Sequence, residues 1–583
     1  MPGIIVALLL SIAATPLWAA NCDEEHVPVS RIQGRGDASP MAGQQVRVQG
    51  IITVDLRHEG GFRGFYLQQA LAEQDKDDAT SEGLFIHTRA RAGEPGDRVH
   101  VSGEVREHYG LTSLTGVSAV SICASPGLPA PLPLKTGATP PDSRESLEGM
   151  LVHTVNPLTV TDTWNLARYG ELVLAPSLQW VPTQVMAPGP DAQRHQAQQE
   201  RQRLILDDGH RRKHPRPVPY LTNGEGAPGN PLRVGDRVAP LAGVMDYRFG
   251  HWRLQPLSRP DIHHTNPRQL PPARNSLTNV RVVSLNLGNL FNGDGQGGGF
   301  PTDRGADSHQ AYQQQLARLA HQIIATDPDI VAVSELENDG YGEASSLADL
   351  AGALGERWRF VDSGTHRHDD AIRNGLLYRG DRVQPQGPAT LITGGAFEQW
   401  HRPALAQRFL AIGGNEPLTV MSVHLKSKSC RNAPAAQQDA GDGQGCFAAA
   451  RTAASRQLAQ WQPPETGKDN LVLLAGDFNA YAMETSIQAI TDAGYTDLIA
   501  DFHGLEQQTF RYHGRQGTLD YHFANKALRD RVVVSQIWSA NAEEPRFWAY
   551  DADRGPRVSD TFVWRASDHN PVITDIRLQA PAD

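Results

Sequence analysis

The stretch Leu471-Val472-Leu473-Leu474-Ala475-Gly476-Asp477-Phe478-Asn479-Ala480 decides how the C-terminal half of the chain is read. A short apolar run leading into a glycine has the length and composition of a buried strand. It ends on a carboxylate, Asp477, with Asn479 two positions further on. A buried polar group is costly unless something satisfies it, so a carboxylate here is either held by backbone or put to use. Alternation along a strand lets Asp477 and Asn479 share one face if the strand continues.

The same pattern recurs on both sides of this stretch. The run 280–285 ends at Asn286, the run 330–334 at Glu335, and the run 418–423 at His424; Ser567-Asp568-His569-Asn570 precedes the apolar segment 572–576. One such residue is ordinarily a strand end satisfied by backbone. Several in one region, all of ligand or acid–base type, point to a site, because strand ends and the loops after them are where such folds carry function. Between these strands lie helical patterns: Leu316, Leu319, Ile323 and Ile324 at helical spacing, and a second helix over 447–461. Short strands alternating with helices predict an α/β domain with its own core.

The residue types suit hydrolysis of a phosphodiester, which needs a cation on phosphate oxygens, an oriented water and a proton for the leaving oxygen. Asn286 and Glu335 offer oxygen ligands of the kind Mg2+ or Mn2+ prefers. Asp477 is placed to orient water and Asn479 to donate to a phosphate oxygen. His569 is placed to move a proton, its tautomer held by a nearby carboxylate.

The rest of the 583 residues read differently. A chain of this length holds several domains. Residues 31–122 alternate apolar and polar over short runs separated by Gly-rich turns, which predicts a small antiparallel β domain of OB-like character. A Pro-rich linker, 126–146, follows. A second β-rich block spans 147–262, then another linker over 263–277, and the α/β domain over 278–580. Gly96-Asp97-Arg98-Val99 and Gly235-Asp236-Arg237-Val238 each lead into a strand pair, an echo between the two β blocks. The polar stretch 185–217 reads as an exposed loop. In the first block Phe62, Phe65 and Tyr66 read either as core or as stacking surfaces for bases.

The N-terminus carries an apolar run, Ile4 to Ala14, broken by Ser11, and small residues up to Ala20. This is the pattern of a secretory signal over residues 1–20, although its first residues lack Lys and Arg. The run is short for a membrane span. No membrane association is expected after its removal, and the mature chain is expected from residue 21 in the periplasm or outside the cell. The four cysteines fit an oxidising compartment. Cys22 and Cys123 bracket the first domain and Cys430 and Cys446 a polar loop, so Cys22–Cys123 and Cys430–Cys446 are the simplest pairs; their spacings fit no zinc motif. The net charge of −11 excludes a protein coated in positive charge, but a local basic groove is enough for a nucleic-acid enzyme.

Together, Gly476-Asp477-Phe478-Asn479-Ala480, Ser567-Asp568-His569-Asn570-Pro571, Ser284-Leu285-Asn286 and Val333-Ser334-Glu335 resemble the endonuclease/exonuclease/phosphatase superfamily. The resemblance covers residues 278–578. It implies a four-layer α/β sandwich with the site where two sheets converge. It also implies metal roles for Asn286, Glu335 and Asp568, water- and phosphate-orienting roles for Asp477 and Asn479, and the two histidine roles for His424 and His569. Asp520, in Gly517-Thr518-Leu519-Asp520-Tyr521, stands where the superfamily keeps a carboxylate that orients a histidine. Ser334 departs from the glutamine common before that glutamate. A closer resemblance, carried by Glu337-Asn338-Asp339-Gly340, Arg402 to Gln407, His424-Leu425-Lys426-Ser427-Lys428 and Asp442-Gly443-Gln444-Gly445, is to the secreted bacterial ExeM/NucH-type nucleases, which also carry β-rich modules ahead of the catalytic domain.

A divalent-metal-dependent endonuclease acting on DNA, with RNA as a further substrate, is therefore expected. Lys426, Lys428, Arg402 and Arg408, with Arg431 and Arg451 beside them, are expected to contact substrate phosphates. Mg2+ or Mn2+ is the expected cofactor. The Gly/Asp-rich loops from Gly293 to Asp307 and from Asp439 to Gly445 loosely resemble calcium loops, so Ca2+ is a third option. The alternatives are a lipid or sugar-phosphate phosphodiesterase using the same metal site, and an inactive binding or adhesion protein. Oligomeric state leaves no trace in the sequence.

Overall fold

The computed structural model describes residue 22 and residues 24–136, 144–221, 231–364, 370–463, 470–552 and 561–578. The secretory signal expected over residues 1–20 lies outside the described residues. Among the described residues no helix is long and apolar enough to cross a membrane.

The N-terminal β region is built on β1 (Gln45–Asp55), β2 (Gly64–Gln68), β3 (Gly83–His87), β4 (Arg98–His108), β5 (Leu111–Thr115) and β6 (Val120–Ala124). The order is β1-β2-β3-β5-β4, and β4 returns to pair with β1, which closes a five-stranded barrel. Only β3 and β5 run parallel. Inward residues such as Val48, Ile52, Phe65, Leu67, Leu84 and Val99 fill it. Phe62, Phe65 and Tyr66 are 5%, 0% and 0% exposed, so the stacking alternative is overturned: all three are core, and the Tyr66 hydroxyl donates to Asp246 of the next region. Cys22 and Cys123 are joined, tying the start of the region to β6.

The second β region repeats this ladder. Its first strand is split into Leu151–Thr154 and Leu158–Asp162, and its fourth into Arg237–Val238 and Ala242–Arg248. Arg237–Val238 pairs with the first strand, Ala242–Arg248 with the fifth (His251–Pro256), and the third (Leu204–Leu206) runs parallel to the fifth, as β3 does to β5. The splits fall at Pro157 and Pro240, which cannot donate to a ladder. The sequence echo has a structural counterpart. Gly96 and Gly235 both have φ of 98°. Gly96 N donates to Ile52 O and Ile52 N to Asp97 O; Gly235 N donates to Val160 O and Val160 N to Asp236 O.

Two expectations for this part are corrected. Leu132–Leu134, inside the stretch read as a linker, is a strand paired parallel with Leu151–Thr154. The stretch 185–217, read as a loop, contains the helix Pro190–Gln202. That helix has no apolar stripe to betray it, burying only Ala192 and Gln199; Pro190 starts it, and polar contacts to the C-terminal region hold it.

The C-terminal region holds two sheets. One has the order Trp358–Phe360, Ile372–Arg379, Ile330–Glu337, Val280–Leu290, Val572–Ile576, Val532–Ile537; the other Val383–Ile392, Ala404–Ala411, Leu418–His424, Leu471–Asp477, Asp520–Ala524, Thr496–Asp497. Residues such as Val282, Ala332, Val420, Leu473 and Ala524 form one core between them. Helices His309–Ala325 and Ser346–Leu354 pack on the outside of the first sheet, and Ala448–Gln460 and Thr485–Thr491 on the outside of the second. In the first of these helices, capped by Ser308, Leu319 and Ile323 are buried, whereas Ile324, one residue and about 100° further round, is 47% exposed and leaves the expected stripe.

The second β region is tied into the C-terminal one. The connection 176–203 leaves its ladder, and Gln179–Trp180 runs parallel with Arg515–Gly517. Met483 N donates to Thr183 O, and Thr183 Oγ1 donates to Glu484 at 2.9 Å. The buried Arg233 donates to Ser539 O and pairs with Glu544, which also holds Arg268.

Candidate active site

Register explains why distant residues meet. In the second sheet His424 is opposite Asp477, and Asp477 is opposite Asp520, so three adjacent strands present their polar residues at one level. The parallel approach of the strand bearing Val423 requires Gly476, whose added Cβ would lie 2.2 Å from Val423 O and whose φ is 134°. Across the gap between sheets, Asn286 Nδ2 donates to Asp477 Oδ2 at 3.2 Å. Glu335 sits where the register of its strand shifts, with φ of 58°; such a bulge re-aims a side chain, and a left-handed glutamate is strain held at a site.

His569 is fixed on three sides. Its Nδ1 lies 2.7 Å from Asp520 Oδ2, its ring lies 4.6 Å from that of Phe510, and its backbone N–H donates to Ser567 Oγ, which itself donates to Asn286 O at 2.6 Å. Burial alone would lower its pKa, but Asp520, followed by Asp568 and Asp477, holds it well above the usual histidine value. Thr509 Oγ1 accepts from Leu519 N and Asp520 N, which anchors the carboxylate beneath the ring. Asp477 is pushed up by burial and then by Asp520; its Oδ1 accepts from Asn479 N at 2.8 Å. Asn479, with φ of 49°, donates through Nδ2 to Leu425 O at 3.0 Å. His424 is held neutral by burial and by Arg402, whose Nη1 is 3.4 Å from His424 Nε2.

Among the described residues, Asp477, Asp520 and His569 bring possible ligand atoms within 4.8 Å of one another. The Asp520 carboxylate, however, already faces the His569 Nδ1. The other grouping is Asn286, Glu335 and Asp568. Glu335 is raised by burial and next by Asp568, and Asn286 bonds to it. Two carboxylates beside an amide oxygen are an all-oxygen donor set that suits a hard divalent cation.

The basic residues separate. Lys426 lies with Nζ 5.1 Å from the Phe447 ring centre. Lys428 is paired with Glu484, and burial lowers it to about 8. Arg402 is buried against His424 and pairs with Asp370 at 2.7 Å. Arg408 is not in the site: it stands opposite Thr419, five residues down the strand that ends at His424. Arg451 is not in a groove either; wholly buried, it donates to the carbonyls of Lys426, Gln444 and Cys446. Arg431 is exposed. Cys430 and Cys446 are joined. The carboxylates of the two Gly/Asp-rich loops turn back on their own backbone, Asp294 accepting from Gln296 N and Gly298 N, and Asp439 from Gly441 N.

A cleft of about 1960 Å³ opens from this site, with Asn479, Asp568 and Phe510 on one wall and residues of the second β region, among them Trp164, Arg211 and Arg253, on the other. The residues that sequence reasoning missed are here. Phe510, Arg511 and Tyr512 interleave aromatic and basic groups, a readable signal; Trp164 and Phe249 lie in a region whose docking leaves no local mark.

The two sheets thus gather an acid–base cluster at the ends of their strands. Residues 283–569 match the Endonuclease/Exonuclease/phosphatase family, which places the C-terminal region in that superfamily of metal-dependent phosphoesterases. Residues 133–266 match a domain of unknown function, DUF8508. No curated protein matches the chain. Among solved structures, D. rerio TDP2 humanized by 14 mutations is 19% identical, with 51% of this chain and 97% of that one covered and a TM-score of 0.34. The human Nocturnin catalytic domain is 16% identical (53% and 97% covered, TM-score 0.34). A mannosyl-6-phosphatase of Bacteroides thetaiotaomicron is 16% identical (51% and 99% covered, TM-score 0.33).

Proposed function

We propose that this chain is a secreted, divalent-metal-dependent endonuclease that hydrolyses phosphodiester bonds of DNA, and of RNA as well, and is of the ExeM/NucH type. The observation that carries the reading is the cleft beside the histidine–carboxylate cluster, lined by Asn479, Asp568 and Phe510 and by more arginines and lysines than carboxylates. A polyanion needs such a trough; a small phosphate ester does not. The lipid-ester alternative calls for a continuous apolar surface at the cleft, and here the exposed rings of Trp164, Phe249 and Tyr512 stand among charged side chains such as Arg211, Arg253, Arg511 and Arg546. The inactive-binder alternative leaves the cross-sheet polar cluster without a purpose. The two joined cysteine pairs and the leader-like residues 1–20 support export to the periplasm or beyond.

In this reading the C-terminal region, 278–580, is a four-layer sandwich. The blocks 21–125 and 147–262 are OB-like modules, the second taking in the strand Leu132–Leu134 and followed by the linker 263–277. Asn286, Glu335 and Asp568 hold Mg2+ or Mn2+, with Ca2+ less suited to so few ligands. The bound cation supplies charge to the phosphate oxygens and so stabilises the transition state. Asp477, raised by burial, takes a proton from the attacking water, and Asn286 and Asn479 fix its carboxylate. His569, kept protonated by Asp520, neutralises the developing charge and donates to the leaving oxygen. Neutral His424 and Arg402 face the phosphate from the far side. Lys426 contributes long-range charge, whereas Lys428 positions the loop through Glu484.

The test is cleavage of plasmid DNA, RNA and a lipid phosphodiester by the purified protein over a metal panel. DNA cleavage that stops in excess EDTA is expected. His569→Ala and Asp477→Ala should each lower it by at least 10²-fold. Persistent cleavage in EDTA, or turnover of the lipid ester alone, overturns the reading.

A further inference from the structure

The cleft carries a feature that phosphodiester chemistry does not require. Four large aromatic side chains among the described residues are strongly exposed: Tyr109, Trp164, Phe249 and Tyr512. Three of them, Trp164 at 57%, Phe249 at 70% and Tyr512 at 61%, line this one cleft. Exposing a large ring to water is unfavourable, and single exposed rings need no explanation, but three on facing walls of one trough do.

Each ring is mounted on a turn. Trp164 follows Leu158–Asp162, its N–H donating to Asp162 at 2.7 Å. Phe249 is at the tip of the hairpin joining Ala242–Arg248 to His251–Pro256, with φ of 55°. Tyr512 is at the tip of the hairpin 510–517, next to His513 with φ of 48°. On that hairpin Phe510 and Tyr512 are two apart and so project to one face of the strand. Phe510 lies against His569, and Tyr512 stands one strand repeat, about 7 Å, beyond Phe510. Cations accompany the rings: Arg546 is 4.6 Å from the Trp164 ring centre and Arg253 5.0 Å from that of Phe249.

The track continues beyond the cleft. Arg211 lines both the cleft and a second, smaller pocket of about 250 Å³ against the first β region. There Arg63, Arg89 and Arg91, all exposed, gather around it, and among the described residues none of those three forms an ion pair.

We propose that the cleft binds a single-stranded nucleic acid, with Trp164, Phe249 and Tyr512 stacking on unpaired bases while Arg63, Arg89 and Arg91 take the backbone as it leaves. The proposal rests on the phosphodiesterase reading and deepens it. A ring can stack only on a base whose face is free; a duplex hides those faces, whereas phosphate contacts serve both forms. The rings are sequence-tolerant, so the chemistry suits DNA and RNA strands alike.

The experiment is fluorescence anisotropy of the full chain in EDTA, with labelled 30-mer DNA and RNA single strands, an 8-mer single strand and a 30-mer duplex. Trp164→Ala, Phe249→Ala and Tyr512→Ala should each weaken binding of single strands by about 5- to 100-fold, with duplex binding changed less than about 2-fold. Trp164→Phe and Tyr512→Phe should restore it, and thermal melts report that every variant folds. Arg63→Ala/Arg89→Ala/Arg91→Ala should weaken the 30-mer but not the 8-mer, lowering the salt slope by about 2. Ring variants that bind single strands normally, or that lose duplex binding equally, overturn stacking. If the unaltered protein cleaves DNA but the ring variants are unaffected, stacking alone falls; if it neither binds nor cleaves nucleic acid, the nuclease reading falls with it.

Discussion

The two β regions share a ladder order and differ most in one connection. In the first, residues 69–82 join the second strand to the third and fold largely on themselves: Glu82 accepts from Asp75 N, and Asp75 from Asp77 N, while Ser81 and Glu82 reach Glu148 and Met150 of the next region. In the second, the equivalent connection, 176–203, is about twice as long and leaves the ladder for the C-terminal region. The first region touches the cleft through none of its strands, whereas the second forms a wall of it. A barrel becomes part of an active site by lengthening one loop, because the ladder is satisfied internally and the insertion is free to make its hydrogen bonds elsewhere.

The harshest way to break this comparison is to exchange the loops. Replacing 176–203 by 69–82 removes the strand beside Arg515–Gly517 and the Thr183–Glu484 contact. On the order of a 10²-fold loss in kcat/KM on DNA is expected, since misplacing a site by about 1 Å costs that much. Circular dichroism should show the sheets intact. Unchanged kcat/KM would mean that the insertion only decorates the fold.

A point substitution sharpens it. Gln184 is 1% exposed; its Oε1 accepts from Thr518 N at 2.9 Å and its Nε2 donates to Leu505 O at 2.6 Å. Gln69 does the same work within the first region, accepting from Val29 N at 2.7 Å and donating to Glu73 O at 2.8 Å. Changing either to Leu strands buried backbone groups and should cost about 1–3 kcal/mol in urea unfolding. Only Gln184→Leu should also lower kcat, because Thr518 leads directly into Asp520. Equal losses of activity in both variants would dissolve the distinction.

How much of this was legible depends on where each signal lives. Asn286, Glu335, His424, Asp477 and His569 each end an apolar run or precede one, and a polar residue in that position is conspicuous. Asp520 was legible only by resemblance, since it opens its strand rather than ending one. The echo at Gly96 and Gly235 was visible because both glycines must adopt φ of 98°. Arg408 and Arg451 misled because charge alone does not tell a groove from a strand's far end or a buried carbonyl clamp. The helix Pro190–Gln202 and the cleft wall were illegible: their stability comes from polar contacts with residues some three hundred positions away, which leave no local period.

Two buried groups, one in each region, respond to acid in opposite senses. His522, between the two catalytic sheets, is bonded to Thr574 Oγ1 at 2.6 Å and Ser284 Oγ at 3.0 Å, and burial lowers it to about 3. The unfolded chain binds a proton there below about pH 6.5 while the folded one does not, so stability falls as pH drops from that value toward 3. The loss reaches roughly 3 kcal/mol by pH 4. In the second β region Asp207 goes the other way. Burial, partly offset by Arg253, raises it to about 6, so the folded state gains stability as pH falls from there toward the ordinary carboxylate value. Calorimetry from pH 7 to 4 should show a flatter slope for His522→Gln than for the unaltered protein, because Asp477 and Asp497, which are raised and stabilise the same sheets as pH falls, are common to both. Parallel shifts would refute the assignment.

The smallest effect probes why the second ladder is split where the first is continuous. Pro240 lies between the two halves of the fourth strand, and on its far side Leu241 N donates to Thr154 Oγ1 rather than continuing the backbone ladder. If the proline merely occupies a break set by the side-chain contact, Pro240→Ala frees the unfolded chain and costs about 0.4–1 kcal/mol. If the proline imposes the break, the new N–H extends the ladder and the variant is as stable as the original or more so. The first outcome is expected, because the Thr154 hydroxyl already takes the Leu241 N–H and Thr154 N donates to Leu241 O, so the strand resumes pairing immediately after the break. Thr154→Val should then cost more than Pro240→Ala, since it leaves the half-buried Leu241 N–H without its partner, a group the proline never had. The reverse order of the two losses would identify the proline as the cause of the split.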